Sequence, residues 1–127
     1  MNRRKYFVLF GLSIILSLGT ALAATASHFS SIPEREHSRQ NPLAGQSQAV
    51  AAGGLLYRDH CAQCHQANAL GDGRRKPSLR TPSVRAATDG DIEWFLRQGD
   101  LRRGMPSWSS LPEAQRWQII AYLRSLQ

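Results

Sequence analysis

The chain has 127 residues, 42% of them hydrophobic, with 10 Gly and 6 Pro, a size that admits one small domain and excludes a second. Its formal charge is +7, but Arg3, Arg4 and Lys5 stand together at the start. Without them 13 basic residues face 9 acidic ones, and no Lys/Arg stripe with interleaved aromatics marks a nucleic-acid surface. The only two cysteines lie in Cys61-Ala62-Gln63-Cys64, which excludes a disulfide scaffold and makes them one local site.

Residues 2–5 (NRRK) precede an apolar run from Tyr6 to Leu18, and Ala21 and Ala23 then stand at the −3 and −1 positions of an Ala-x-Ala cleavage pattern. The stretch Tyr6 to Ala24 also spans 19 residues, close to the length of a membrane-crossing helix, so residues 1–24 are expected to be a signal peptide or a single membrane anchor. In both cases the basic residues stay inside, and the rest of the chain is expected to be exported, periplasmic or periplasm-facing and membrane-anchored. Residues 25–47 are polar, with Pro33 and Pro42 and no sustained apolar period, and read as a linker with little structure of its own.

The remainder, 48–127, reads as all-α. Ala49, Ala52, Gly53, Leu56, Tyr57 and His60 recur at helical spacing and predict a helix over 48–60 that runs straight into the cysteine pair. Between Ala67 and Ala87, Gly71, Gly73, Pro77 and Pro82 predict a long loop. Thr88 opens a second helix, with Asp91 able to return the cap bond, Gly99 as its terminator and Ile92, Phe95 and Leu96 as its buried face. A last helix starts around Pro112-Glu113, with Pro in its first turn, and Ile119, Tyr122, Leu123 and Leu126 form one apolar stripe flanked by Trp117 and Ile120. So few large apolar residues cannot fill a core around so long a loop, so something besides side chains must.

Cys61-Ala62-Gln63-Cys64-His65 is a C-x-x-C-H, the attachment pattern of c-type haem. Two thiols so spaced can form thioethers with the two vinyl groups of one porphyrin, while His65 presents an imidazole to the iron. Structural zinc wants a fourth ligand, and His28, His37 and His60 are poorly placed to supply it. A thiol oxidoreductase would place C-x-x-C before a helix among strands, whereas here it follows a helix. Met105, the only methionine after the first residue, lies 40 residues past His65 in Gly104-Met105-Pro106, a setting that lets the backbone approach closely and aims the thioether as a second axial ligand. A carbonyl near Pro77 can accept the ring N–H of His65. Trp108 reads as a lid on the haem edge or as core. Arg80, with Arg85, Arg102 and Arg103, is near enough in sequence to neutralise haem propionates, against the plainer reading of solvated side chains.

With these residues on the page, 48–127 resembles a class I cytochrome c of the small bacterial kind, periplasmic or membrane-tethered. The pieces that carry the likeness are Gly53, Tyr57, the C-x-x-C-H, Pro77-Ser78-Leu79, Gly104-Met105-Pro106 and Ile119-Ile120-Ala121-Tyr122-Leu123, in that order. The resemblance implies a first and last helix crossing at Gly53 and Tyr122, beside Tyr57 and Ile119. Gln66 departs from it, since the family often has Gly after the haem histidine.

The expected function is one-electron transfer by a monomeric domain carrying one covalent haem c, between donor and acceptor redox proteins that are exported or membrane-bound, and with no nucleic-acid partner. His65/Met105 ligation closes both axial positions and raises the potential relative to two imidazoles. No set of catalytic base and nucleophile is visible, so an enzyme is not expected. The alternatives are a haem domain of a redox enzyme or sensor whose Met105 dissociates, and the C-x-x-C thiol oxidoreductase.

Overall fold

In the computed structural model the described residues are Phe29 and 31–127. Residues 1–24, the expected signal peptide or anchor, lie outside them, as does His28. Six α-helices follow in order: α1 (Glu34–His37), α2 (Ser47–His60), α3 (Ala62–His65), α4 (Pro82–Ala86), α5 (Asp89–Gln98) and α6 (Glu113–Ser125), with a 3-10 turn at Leu101–Arg103 between the last two. Among the described residues there is no strand, only an isolated bridge between Asp100 and Met105. The fold class is all-α, as expected.

The principal packing is α2 against α6. Gly53 makes it: a Cβ there would lie 1.9 Å from the Gln118 carbonyl oxygen and 3.0 Å from Tyr122 Cβ, so only a residue without a side chain lets the two backbones come this close. Just beyond, the Tyr57 and Tyr122 rings meet at 5.3 Å, tilted by 48°. This is the crossing that the resemblance implies.

α5 starts and stops where its sequence says. Thr88 Oγ1 accepts the Asp91 amide at 3.1 Å, the Asp91 carboxylate accepts the Thr88 amide at 2.8 Å, and Gly99 ends the helix at φ 69°. α6 differs in detail. Pro112 is its N-cap rather than a first-turn residue, and its buried set is wider than one stripe: Trp117, Ile119, Ile120 and Leu123 are all buried, whereas Tyr122 and Leu126 are half-buried. The reason is that α6 is covered by α2, by α5 and by the segment that precedes α2.

That segment corrects an expectation. Residues 31–46 carry α1 and are tied to the rest: Asn41 Nδ2 donates to the Trp117 carbonyl at 2.9 Å, Thr88 Oγ1 donates to the His37 carbonyl at 2.8 Å, and Glu36 and Asn41 are buried. It lacks an apolar period because most of its ties are polar and ionic, with Leu43 alone among residues 31–46 packing an apolar side chain on the core.

Candidate cofactor site

α2 ends at His60, and Cys61 is at once its C-cap and the N-cap of α3. The amides of Cys64 and His65 donate to the Cys61 carbonyl at 3.1 and 2.9 Å, so a single helical turn carries both thiols and the imidazole at offsets of three and four residues. Cys61 and His65 are buried and Cys64 is exposed, and all three line one cleft. Burial and the neighbouring Cys64 push the Cys61 thiol up to about 12, the opposite of the lowered value that makes a C-x-x-C pair a redox nucleophile.

The loop after α3 is shaped to meet the imidazole. His65 Nδ1 lies 2.9 Å from the Pro77 carbonyl oxygen. A carbonyl only accepts, so Nδ1 carries the proton and Nε2 keeps its lone pair, which is the tautomer an iron ligand needs. Asp72 sets the path to Pro77: its Oδ1 accepts the amides of Arg74, Arg75 and Lys76 at 2.9, 3.0 and 2.9 Å, and these bonds hold its carboxyl below the ordinary value. Gly71, at φ 63°, is required there, because a Cβ would lie 2.0 Å from the Lys76 carbonyl oxygen. The Tyr57 hydroxyl donates to the Gln66 carbonyl at 2.8 Å and ties the start of the loop to α2. Burial raises that hydroxyl above its ordinary pKa, so it stays a donor.

Met105 sits on a small hairpin at the end of α5. Asp100 and Met105 exchange backbone bonds of 2.8 and 3.0 Å, Trp108 N donates to the Leu96 carbonyl at 2.8 Å, and the Ser107 hydroxyl donates to the Arg97 carbonyl at 2.6 Å. Gly99 again permits the approach, since a Cβ there would lie 2.6 Å from Pro106 C. The hairpin places Met105 on the same cleft as Cys61, Cys64 and His65.

The cleft holds about 760 Å³ and is walled by apolar side chains including Leu79, Ile92, Leu96, Ile119 and Leu123. It occupies the space that the few large apolar residues leave in the core. Of the other expected residues, Pro77 and Trp108 line it, and Trp108 packs its ring 5.2 Å from that of His60, which also faces the cleft. Arg80 does not line it, nor do Arg85 and Arg102, whereas Arg75 and Arg103 do. The reason is the Asp72 cap, which folds the loop back and brings Arg75 to the mouth, leaving Arg80 to accept from Arg85 through its carbonyl. His37 is bound to Asp91. Sequence reasoning missed Phe29, Arg75 and Asp72, and only the Gly71-Asp72-Gly73 turn signature pointed to any of them.

An apolar slot with two thiols and an imidazole on one turn, and a thioether on a separate hairpin, fits a covalently held porphyrin. Among the described residues no group of three or more His, Cys, Asp or Glu side chains is arranged to hold a bare metal ion. Residues 48–123 match the family model described as cytochrome C oxidase, cbb3-type, subunit III. No curated protein matches the chain.

Proposed function

Because the chain belongs to the family described as cytochrome C oxidase, cbb3-type, subunit III, we propose that its c-type cytochrome domain carries single electrons between exported or membrane-bound redox proteins, with His65 and Met105 as axial ligands and Cys61 and Cys64 as tethers. The cofactor is a covalent haem c, which when bound supplies the ferric/ferrous couple. The observation that carries the reading is the convergence of all four residues on one apolar cleft.

The chain's own residues account for the rest. The Pro77 carbonyl accepts the His65 ring N–H and holds the ring in its orientation, leaving Nε2 for the iron. The Asp100–Met105 hairpin presents the thioether with its backbone already paired, so little need move when the charge changes. With His65 and Met105 both holding the iron, a bound haem would offer no open position to a substrate, which suits the domain to carrying electrons, alone or within a larger redox complex. Of the charged residues at the cleft, Arg103 is paired with Asp100 at 3.0 Å, so the excess positive charge there comes from Arg75 and suits an acidic partner face. In this reading residues 48–127 form the carrier domain, and residues 1–24 export it or hold it at the membrane.

The test is substitution followed by spectroscopy. With Cys61 and Cys64 both replaced by Ser, haem stain should disappear from a denaturing gel. Met105→Ala should keep the stain, lose the weak far-red band of a Met-ligated ferric haem, and lower the potential. A Met105→Ala protein with band and potential unchanged would show that the sixth ligand is another residue.

A further inference from the structure

Phe29 and residues 31–46 precede the stretch matched by the family, yet Phe29 reaches the cofactor cleft. Phe29 lines it, with its ring 5.8 Å from that of Phe95 on α5, tilted by 60°. We propose that Phe29 and residues 31–46 form a strap that completes the haem site, anchored on α5 and α6 through Glu36, Arg39 and Asn41 and closed by Phe29 against Phe95. The inference rests on the haem-carrier reading and assigns Phe29 as a positioning residue within it.

The anchoring is built for this one segment. Glu36 Oε2 accepts from Arg97 Nη2 at 2.7 Å and from Arg39 Nη1 at 3.4 Å, while Arg39 Nη1 also donates to Glu93 at 3.1 Å. The Arg39 guanidinium also pairs with Glu113 and lies 5.1 Å over the Trp117 ring. Glu93 is fully buried and takes a second bond, 2.9 Å, from Arg116 Nε. The two buried carboxylates are thus neutralised jointly by the strap and the core, and lifting the strap off would leave Glu93 short of one of its cations.

Gly90 supplies independent support. It stands in the first turn of α5, where Gly is a poorer helix former than Ala by about 1 kcal/mol. A Cβ there would lie 1.9 Å from the Glu36 carbonyl oxygen and 2.9 Å from that of Arg39. The missing side chain is therefore the seat of the strap's backbone. The strap also reaches towards the Met105 hairpin, because Arg97, which binds Glu36, accepts the Ser107 hydroxyl at its own carbonyl. Sealing this side of the cleft keeps water from the haem. Burial disfavours the more highly charged ferric state, so the strap raises the potential.

The experiment uses the full, haem-loaded chain with Phe29→Ala, Phe29→Leu and Gly90→Ala, reading midpoint potential, the far-red band and far-UV helicity. The strap predicts that Phe29→Ala and Gly90→Ala both lower the potential, with helicity and far-red band retained, and that Phe29→Leu recovers part of the shift. Leu126→Ala, which loosens the core away from the cleft, should leave the potential in place. A parent-like potential in Phe29→Ala, or an equal shift in Leu126→Ala, overturns the proposal while the carrier reading stands. A parent chain without covalent haem overturns the carrier reading and this inference with it.

Discussion

Gln66 occupies φ 62°, ψ 161°, a region of backbone space open in practice only to glycine. It follows His65 directly, and its carbonyl is held by the Tyr57 hydroxyl, so the contorted backbone is set by the need to turn the chain sharply out of α3 toward Pro77. This gives a physical reason for the glycine that related cytochromes often carry here. Strain of about 1–3 kcal/mol, less the extra backbone freedom of an unfolded glycine, leaves a net gain of about 1 kcal/mol for Gln66→Gly. A denaturation midpoint of the haem-loaded variant below that of the parent would contradict this account.

At the scale of elements, α5 is where the molecule's parts meet. Its first turn seats α1, its middle walls the cleft and its end carries the Met105 hairpin. The His37 ring binds Asp91 at 2.9 Å, and that bond, then the charge of Asp91, raise His37 above its ordinary 6.5. The gain from this contact is complete at pH below the unfolded value of about 6.5 and is lost as pH rises through the higher folded value. The His37 ring signal should titrate above 6.5, and amide protection in α1 should fall as that midpoint is passed. His37→Gln should abolish the dependence. Protection that instead rose with pH would reverse the assigned sign.

For the molecule as a whole the cleft leaves apolar core surface uncovered. It measures about 760 Å³ and is open at its mouth, so without an occupant its Leu, Ile and Phe walls face water. An apolar occupant stabilises the fold by removing those walls from water, at about 25 cal/mol per Å² of apolar surface. The haem-free Cys61→Ser/Cys64→Ser chain should accordingly show reduced helicity and no sharp thermal transition by circular dichroism. A cooperative melt matching that of the haem-loaded parent would mean that the helices pack without the cofactor.

What the sequence by itself determined is what rests on neighbours along the chain. The C-x-x-C-H presents its three groups together because one helical turn spans them, Thr88 and Asp91 cap α5 three residues apart, and Gly104-Met105-Pro106 marks a turn that carries the only methionine after the first residue. Tertiary structure decided the rest. The choice of Arg75 over Arg80 at the cleft follows from how Asp72 folds its loop, and the presence of Arg103 there from the turn that leads to Met105, where it binds Asp100. The place of residues 31–46 follows from bonds such as Glu36 to Arg97 and His37 to Asp91, 61 and 54 residues apart. Charged partners so distant leave no periodic trace in a sequence, because nothing local distinguishes an arginine that neutralises a buried carboxylate from one that faces water.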